Sequence, residues 1–501
     1  MCSSKKLFYL LFLAVFGLGS CSQSEDIVGG NAQDEGEQNG EVNVVFRLQS
    51  NIASTVTRGV EDSNDHTQGS PDEYKVNFAR VYLYDNPTKL FVKSFLLTDL
   101  TNAGSDQNYN VIYESKRVSV QQGVYDIFVT ANSTRIINRE KESDFLADID
   151  SVSYTRALIT DISNGIVMSN RASMNVAETI TNSSTDGETP VVIQLERVLA
   201  RLDVAKSQEV FHLTDDNSVQ YADVTLDGFY IVNLPKYFYT LRHTAVLTTL
   251  EEPKWNLASN FGNVSDVNGY VIDPYFFQKK VDASNFTNAD KYYENFSADL
   301  NNPTNVRWMS FEKVSNPPTY KTSYCLENCA LVPAQKNGYS TGVVFRAKVE
   351  PKIVYQLNNG VLEQVTNPAN FAETLYYYDH KFYNSAAAFA QYLSGIPESS
   401  TNPEKFMAKK FDKTDEGYRC FYNYWIRHLD NYKDTAMGVM EFAIVRNNLY
   451  KMCITNVSDL GYGGTGVIDI NPDTPDEGET YLKIQLNVKP WVIRDLTNII
   501  L

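Results

Sequence analysis

The sequence predicts a mostly β protein, with two strand-rich domains in tandem and few short helices. Three observations carry that expectation. Tyr (32) and Phe (26) are abundant, while Leu/Ala-rich helical stretches are rare, a balance that favours strands. Runs such as "EVNVVFRLQS" (41–50) alternate apolar and polar residues with period two. Asn, Gly and Asp punctuate those runs at turn spacing. The 501 residues suffice for two to four domains of ordinary size. The apolar fraction of 43% and charged fraction of 21% are those of a globular chain. The net charge of −17 argues against nucleic-acid binding, which needs a positive field against phosphate.

The elements follow in order. Lys5 and Lys6 precede "LFYLLFLAVFGL" (7–18), an apolar run well short of the about 20 residues a membrane helix needs. It fits the apolar part of a secretory signal. Leu18-Gly19-Ser20-Cys21 matches the bacterial lipobox, so residues 1–21 are expected to be a lipoprotein signal peptide, with the Cys21 thiol taking the lipid. "SQSED" (22–26) resembles the acidic surface-export signal of Bacteroidia lipoproteins. The polar, acidic, Gly-rich stretch 22–41 has too little apolar surface to fold and reads as a tether. The strand that follows puts Val42, Val44, Phe46 and Leu48 on one face. A polar loop without periodicity, "NIASTVTRGVEDSNDHTQGSPDE", comes next.

Strands are expected at 74–85, 89–97, 110–120 and 123–132. Residues 135–185 read as mixed. "ETPVVIQLERVLARLDVAK" (188–206) reads as one strand closing a first domain, 59–210. The second domain, 211–501, holds strand patterns at 224–241, 340–357, 419–428 and 438–461 and a helix-like piece at 385–395. Its tail is a Gly/Pro/Asp loop, 461–479, then "TYLKIQLNVKPW" (480–491) with Leu482, Ile484, Leu486 and Val488 alternating. That combination predicts a mobile arm over about 461–501.

Catalytic and metal motifs are missing from the sequence. There is no GxSxG, HExxH or P-loop, and the five His residues are scattered. Cys325 and Cys329 have metal-like spacing but no second pair or His near them, so neither a metal nor a cofactor is expected. A disulfide and buried free thiols both remain open for Cys325, Cys329, Cys420 and Cys453. "YYYDH" (376–380) and "YNYWIRH" (422–428) read as tyrosine-rich core strands rather than sites. The chain is not expected to be an enzyme.

Several segments resemble the Mfa-type fimbrillins of the Bacteroidia, the lipoprotein-derived subunits of type V pili. They are "GVYDIFVTAN" (123–132), "VLARLDV" (198–204), Val445-Arg446-Asn447-Asn448 with Tyr450, and the Val488-Lys489-Pro490-Trp491 ending. The resemblance implies two tandem transthyretin-like β-sandwich domains. It also implies an outer-membrane lipoprotein precursor with a transient lipid anchor, cut by an arginine-specific surface protease and then assembled with other fimbrial subunits by strand exchange. Arg58-Gly59 sits where that cut belongs, making 22–58 a propeptide of tether plus first strand. Arg47 is the rival, but it lies within the strand pattern. The donor strand would be Leu482, Ile484, Leu486 and Val488, filling the groove left by Val42, Val44, Phe46 and Leu48. The alternatives are a tip or anchor subunit, or a surface glycan-binding lipoprotein displaying aromatics such as Trp425 or Trp308 on a flat face.

Overall fold

The computed structural model describes residues 40–50, 69–105, 111–151, 162–171, 175–181, 190–245, 270–283, 285–286, 289–294, 308–428, 437–438, 440–463, 471–476 and 482–490. The fold is mostly β, with a few short helices between strands.

The alternation at 41–50 becomes two consecutive strands, Glu41–Val44 and Phe46–Ser50. The first pairs antiparallel with Val118–Gln121. The second enters a nine-stranded sheet. Its main path runs Phe91–Leu97, Ala79–Asp85, Gly123–Ala131, Met168–Ser169, Val191–Arg197, Phe46–Ser50, Val111–Glu114 and Thr101–Ser105. Phe46 and Phe95 stand six places apart in that order if both are counted, yet their rings are 5.4 Å apart. The sheet therefore curls until its two halves face each other as a sandwich. Val81, Leu83, Ile127 and Val129 from one half meet Phe46, Leu48, Ile193 and Leu195 from the other in a single apolar core.

The second sandwich packs a four-stranded sheet against a ten-stranded one. The smaller sheet is ordered Lys321–Leu326, Leu199–Lys206, Asn448–Val457, Leu482–Pro490. The larger is centred on Gln220–Val232, Gly342–Pro351 and Gly417–Trp425. Leu202 and Tyr450 of the small sheet share a core with Phe229 and Phe345 of the large one.

Several expectations need correction. The stretch 188–206 is two strands, Val191–Arg197 and Leu199–Lys206, and they belong to different sandwiches. An unbroken supply of apolar residues, with no Gly, Pro, Asn or Asp at Val198, gave it the look of one continuous strand. Of 438–461, only Asn448–Val457 is strand, and the part before it is turns and irregular backbone. Residues 461–463 do not form a loose hinge. A Cβ on Gly461 would lie 2.1 Å from the Phe421 carbonyl oxygen, and one on Gly463 would lie 1.9 Å from that of Lys410. These glycines are there for close backbone approach. Trp425 is buried, and Trp308 is packed between the Tyr230 ring and the Arg346 guanidinium. Neither offers the flat exposed face that the glycan-binding alternative needs. Cys325, Cys329, Cys420 and Cys453 are all free and buried. The helix at 385–395 is present as Ala386–Leu393, with the Ser385 hydroxyl accepting from the Ala388 amide as its N-cap.

Candidate functional site

The candidate site has two parts, the seat of the first strand and the closing strand at the other end of the chain.

Phe46–Ser50 is an interior strand. It runs parallel to Val191–Arg197 on one side and antiparallel to Val111–Glu114 on the other. The Phe46 amide donates to the Ser115 hydroxyl at 2.9 Å, and the Ser115 amide donates back to the Phe46 carbonyl at 2.9 Å. Val42, Val44, Phe46 and Leu48 are 3%, 0%, 0% and 0% exposed, so the predicted apolar face is wholly inward. Arg47 lies on the opposite face and is half-exposed. Its guanidinium donates to Glu114 at 2.9 and 2.5 Å. Taking this strand out would leave a slot bounded by unpaired edges on both sides and floored by Val81, Ile127, Ile193 and their neighbours. Arg58 and Gly59 lie outside the described residues, as does Cys21.

The chain returns at a short helix, Pro71–Tyr74, opened by a reciprocal Ser70/Glu73 capping box. Glu73 is 1% exposed and serves as a hub. It accepts from Arg201 at 3.0 and 3.1 Å, from the Tyr324 hydroxyl at 2.7 Å and from the Ser70 amide at 2.5 Å. Arg201, the arginine of "VLARLDV", also grips Asp203 at 2.8 Å. Arg197 donates to the Glu73 carbonyl at 2.6 Å and to the Asn447 side chain at 3.0 Å. The family-like motifs thus meet where one sandwich passes into the other. Asn447 has φ +60°, a left-handed position that Asn tolerates better than most residues. Arg446 is fully buried, pairs with Glu327 at 2.6 Å and donates to the Tyr239 carbonyl at 2.8 Å. Burial pushes the Glu327 carboxyl up despite Arg446 beside it. Against the same cost of burial, Arg242, Arg171 and Arg446 hold the Glu196 carboxyl below its usual range. Tyr450 accepts from the Val445 amide at 2.9 Å and meets His428 Nδ1 at 2.7 Å. The Asn ending "GVYDIFVTAN", Asn132, is also left-handed, and its amide bridges the Lys75 and Ile166 carbonyls.

The closing strand, Leu482–Pro490, pairs antiparallel with Asn448–Val457 and forms the edge of the four-stranded sheet. Leu482 is buried and Ile484 packs against the core. Leu486 and Val488 stand opposite Met452 and Tyr450 in register. The preceding stretch, 471–476, is docked on residues 335–340. The Asn337 and Gly338 amides donate to the Thr474 and Pro472 carbonyls at 2.9 Å, and Lys336 pairs with Asp473 at 2.6 Å. Asp476 is buried there against the Ser340 hydroxyl.

Sequence reasoning found the inward face of the first strand and the alternating tail. It missed Glu73 and Glu327: the Ser70-x-x-Glu73 capping box is a local signal that went unread, while the Arg201, Tyr324 and Arg446 partners lie more than a hundred residues away. Among the described residues, no group of three or more His, Cys, Asp or Glu is placed to hold a metal ion.

Comparison with known proteins gives two family matches in chain order. Residues 43–197 match the family of the major fimbrial subunit protein (FimA). Residues 415–497 match "Major fimbrial subunit protein type IV, Fimbrillin, C-terminal". Curated protein sequences give no match. Among solved structures, a fimbrilin from Porphyromonas gingivalis aligns at 12% identity over 91% of this chain and 99% of its own, with a TM-score of 0.44. A candidate cell adhesion protein from Parabacteroides distasonis aligns at 14% identity over 90% and 97%, with a TM-score of 0.43. The tip fimbrial protein Mfa3 from P. gingivalis aligns at 12% identity over 90% and 100%, with a TM-score of 0.36. The two family matches span the first sandwich and the last strands of the second, and they contain the "GVYDIFVTAN" and Val445–Tyr450 motifs; over those residues the chain is similar to the major fimbrial subunit proteins, the fimbrillins.

Proposed function

We propose that this fimbrial subunit is a stalk subunit that polymerises by strand exchange after proteolysis. It would be exported as a lipoprotein through Cys21 and cut after Arg58, with 22–58 leaving as a propeptide. The domains that remain would be the two sandwiches, divided near Val198 and not at the expected 210, because Leu199–Lys206 pairs within the second. The Leu482–Pro490 arm of another copy would then fill the vacated slot, a form of β-strand addition. The observation that carries this reading is the interior position of Phe46–Ser50. It joins no covalent neighbour on either side of the sheet, yet it supplies core side chains and both ladders. Burying Phe46 and Leu48 of this strand together with Val42 and Val44 of the strand just before it is worth roughly 6–12 kcal/mol before hydrogen bonds. An empty slot would therefore draw in a replacement strand. Among the described residues the candidate donor lies at a sheet edge, where one ladder holds it. Head-to-tail contacts of this kind do not close, so they build a filament.

The test is limited trypsin digestion of the purified lipid-free chain, followed by N-terminal sequencing and native sizing. A new N-terminus at Gly59 with a ladder of oligomers is expected, and Arg58→Ala should stay monomeric. A chain cut there that remains a monomer would overturn the stalk reading.

A further inference from the structure

Away from the slot, the second sandwich buries a lysine, a carboxylate and a carboxamide in one cluster. Lys279 lies on the short helix Phe276–Val281. Asn328 follows the strand Lys321–Leu326, and Asp273 precedes the helix. Their exposures are 1%, 1% and 2%. Lys279 Nζ is 2.6 Å from Asn328 Oδ1, 2.7 Å from Asp273 Oδ2 and 3.0 Å from the Cys329 carbonyl. The surroundings are Val271, Ile272, Phe276, Leu331 and Val445, which keep bulk water out.

An ordinary buried ion pair needs only the lysine and the aspartate. Here every other atom of the carboxamide is also held. The Tyr293 hydroxyl donates to the same Asn328 Oδ1 at 3.2 Å, so that oxygen has two donors. Asn328 Nδ2 is fixed by the Tyr339 carbonyl at 2.7 Å and the Thr341 hydroxyl at 2.9 Å. Asp273 is oriented by the Cys329 amide at 2.7 Å and the Tyr275 amide at 2.8 Å. An amine is thus held against a polarised carbonyl, with a proton acceptor touching the amine. That is the constellation acyl transfer to nitrogen requires.

We propose that Lys279 and Asn328 form an intramolecular isopeptide bond, with Asp273 carrying the protons. Asp273 takes a proton from the Lys279 ammonium, exchanging two buried charges for two neutral groups. The freed Nζ lone pair attacks Asn328 Cγ, and the carbonyl oxygen gathers negative charge under the Tyr293 hydroxyl. Asp273 passes its proton to Nδ2 and takes one of the two left on Nζ, the other staying as the amide N–H. The Cγ–Nδ2 bond breaks and ammonia leaves. The products are an Nζ–Cγ amide, one ammonia and a protonated Asp273, so no oxidant or co-reactant is needed. The bond joins residues 49 apart and closes a loop around the Asn- and Tyr-rich stretch between them. It also ties the helix to Asn328, whose backbone bridges Ile444 just before Val445-Arg446-Asn447.

The test is peptide mass spectrometry of the purified full chain after incubation at neutral pH. The expected result is one branched tryptic species joining the peptide that carries Lys279, uncleaved at that lysine, to the peptide that carries Asn328. Its mass should fall short of the two linear peptides joined only by addition by one ammonia, about 17 Da. Lys279→Arg and Asp273→Asn, which keep size and polarity, should each give separate linear peptides. Recovery of the native protein as two unlinked, unmodified peptides overturns the proposal without any variant having to fold. A fully linked Asp273→Asn chain overturns the role given to Asp273.

Discussion

Phe46→Ala tests directly how the first strand is held. Phe46 is fully buried with its ring 5.4 Å from that of Phe95. Truncating a buried phenylalanine costs about 3–5 kcal/mol. In a chain cut at Arg58 the strand is held by packing and ladders alone, so that loss falls on the strand's grip. At about 1.4 kcal/mol per factor of ten, release should speed up by roughly two to three and a half orders of magnitude. The assay is the rate at which the 22–58 peptide leaves the cut protein, read by size exclusion and mass, alongside the rate of oligomer growth. Arg47→Ala is the control. It removes a half-exposed pair with Glu114, worth below about 1 kcal/mol, so its effect should stay within about fivefold. Equal release rates for the cut wild type and cut Phe46→Ala would refute the reasoning, because the buried face would then not be what holds the strand.

Other outcomes follow from the same geometry. Glu327→Gln or Arg446→Met alone should cost about 3–5 kcal/mol in urea unfolding, because each strands a buried charge, while the double variant should recover much of that loss. Glu73→Ala should destabilise the junction by a similar amount, and it should expose the segment after Gly69 to proteases. Burial lowers the His428 pKa to about 4, while an unfolded histidine titrates near 6.5, so the unfolded chain binds the extra proton between those values. Stability should therefore be full above about pH 6.5 and fall by about 3 kcal/mol toward pH 4 from this group. A unfolding series across that range that is flat would contradict the burial of His428. Burial raises all four thiol pKa values, that of Cys420 to about 12, so thiol reagents should label none of the four until the chain is denatured.

What was legible in the sequence follows from how local each signal is. The first strand could be read because four inward side chains alternate without a break, even though the ladder changes partner at Val45. The helix at 386–393 could be read because Ser385 caps an alanine-rich run. The division at Val198 could not, because apolar residues run on through both strands and no turn residue marks the change. Short strands such as Ile149–Ser151 and Glu178–Ile180 carry too few residues to show any period. The Glu73 hub and the Lys279–Asn328–Asp273 cluster were invisible for a different reason. Their members have unremarkable neighbours in sequence, and only the tertiary fold brings them together.

The mixed pairing of Phe46–Ser50 has a consequence for any strand that occupies its place. One wall of the slot presents a parallel ladder and the other an antiparallel one, and the two differ in the slant and spacing of their hydrogen bonds. A strand entering backwards would exchange the two ladders and still form one of each kind, so the ladders alone do not set its direction. Direction would rest on the side chains, with a large one wanted beside the Phe95 ring where Phe46 now stands.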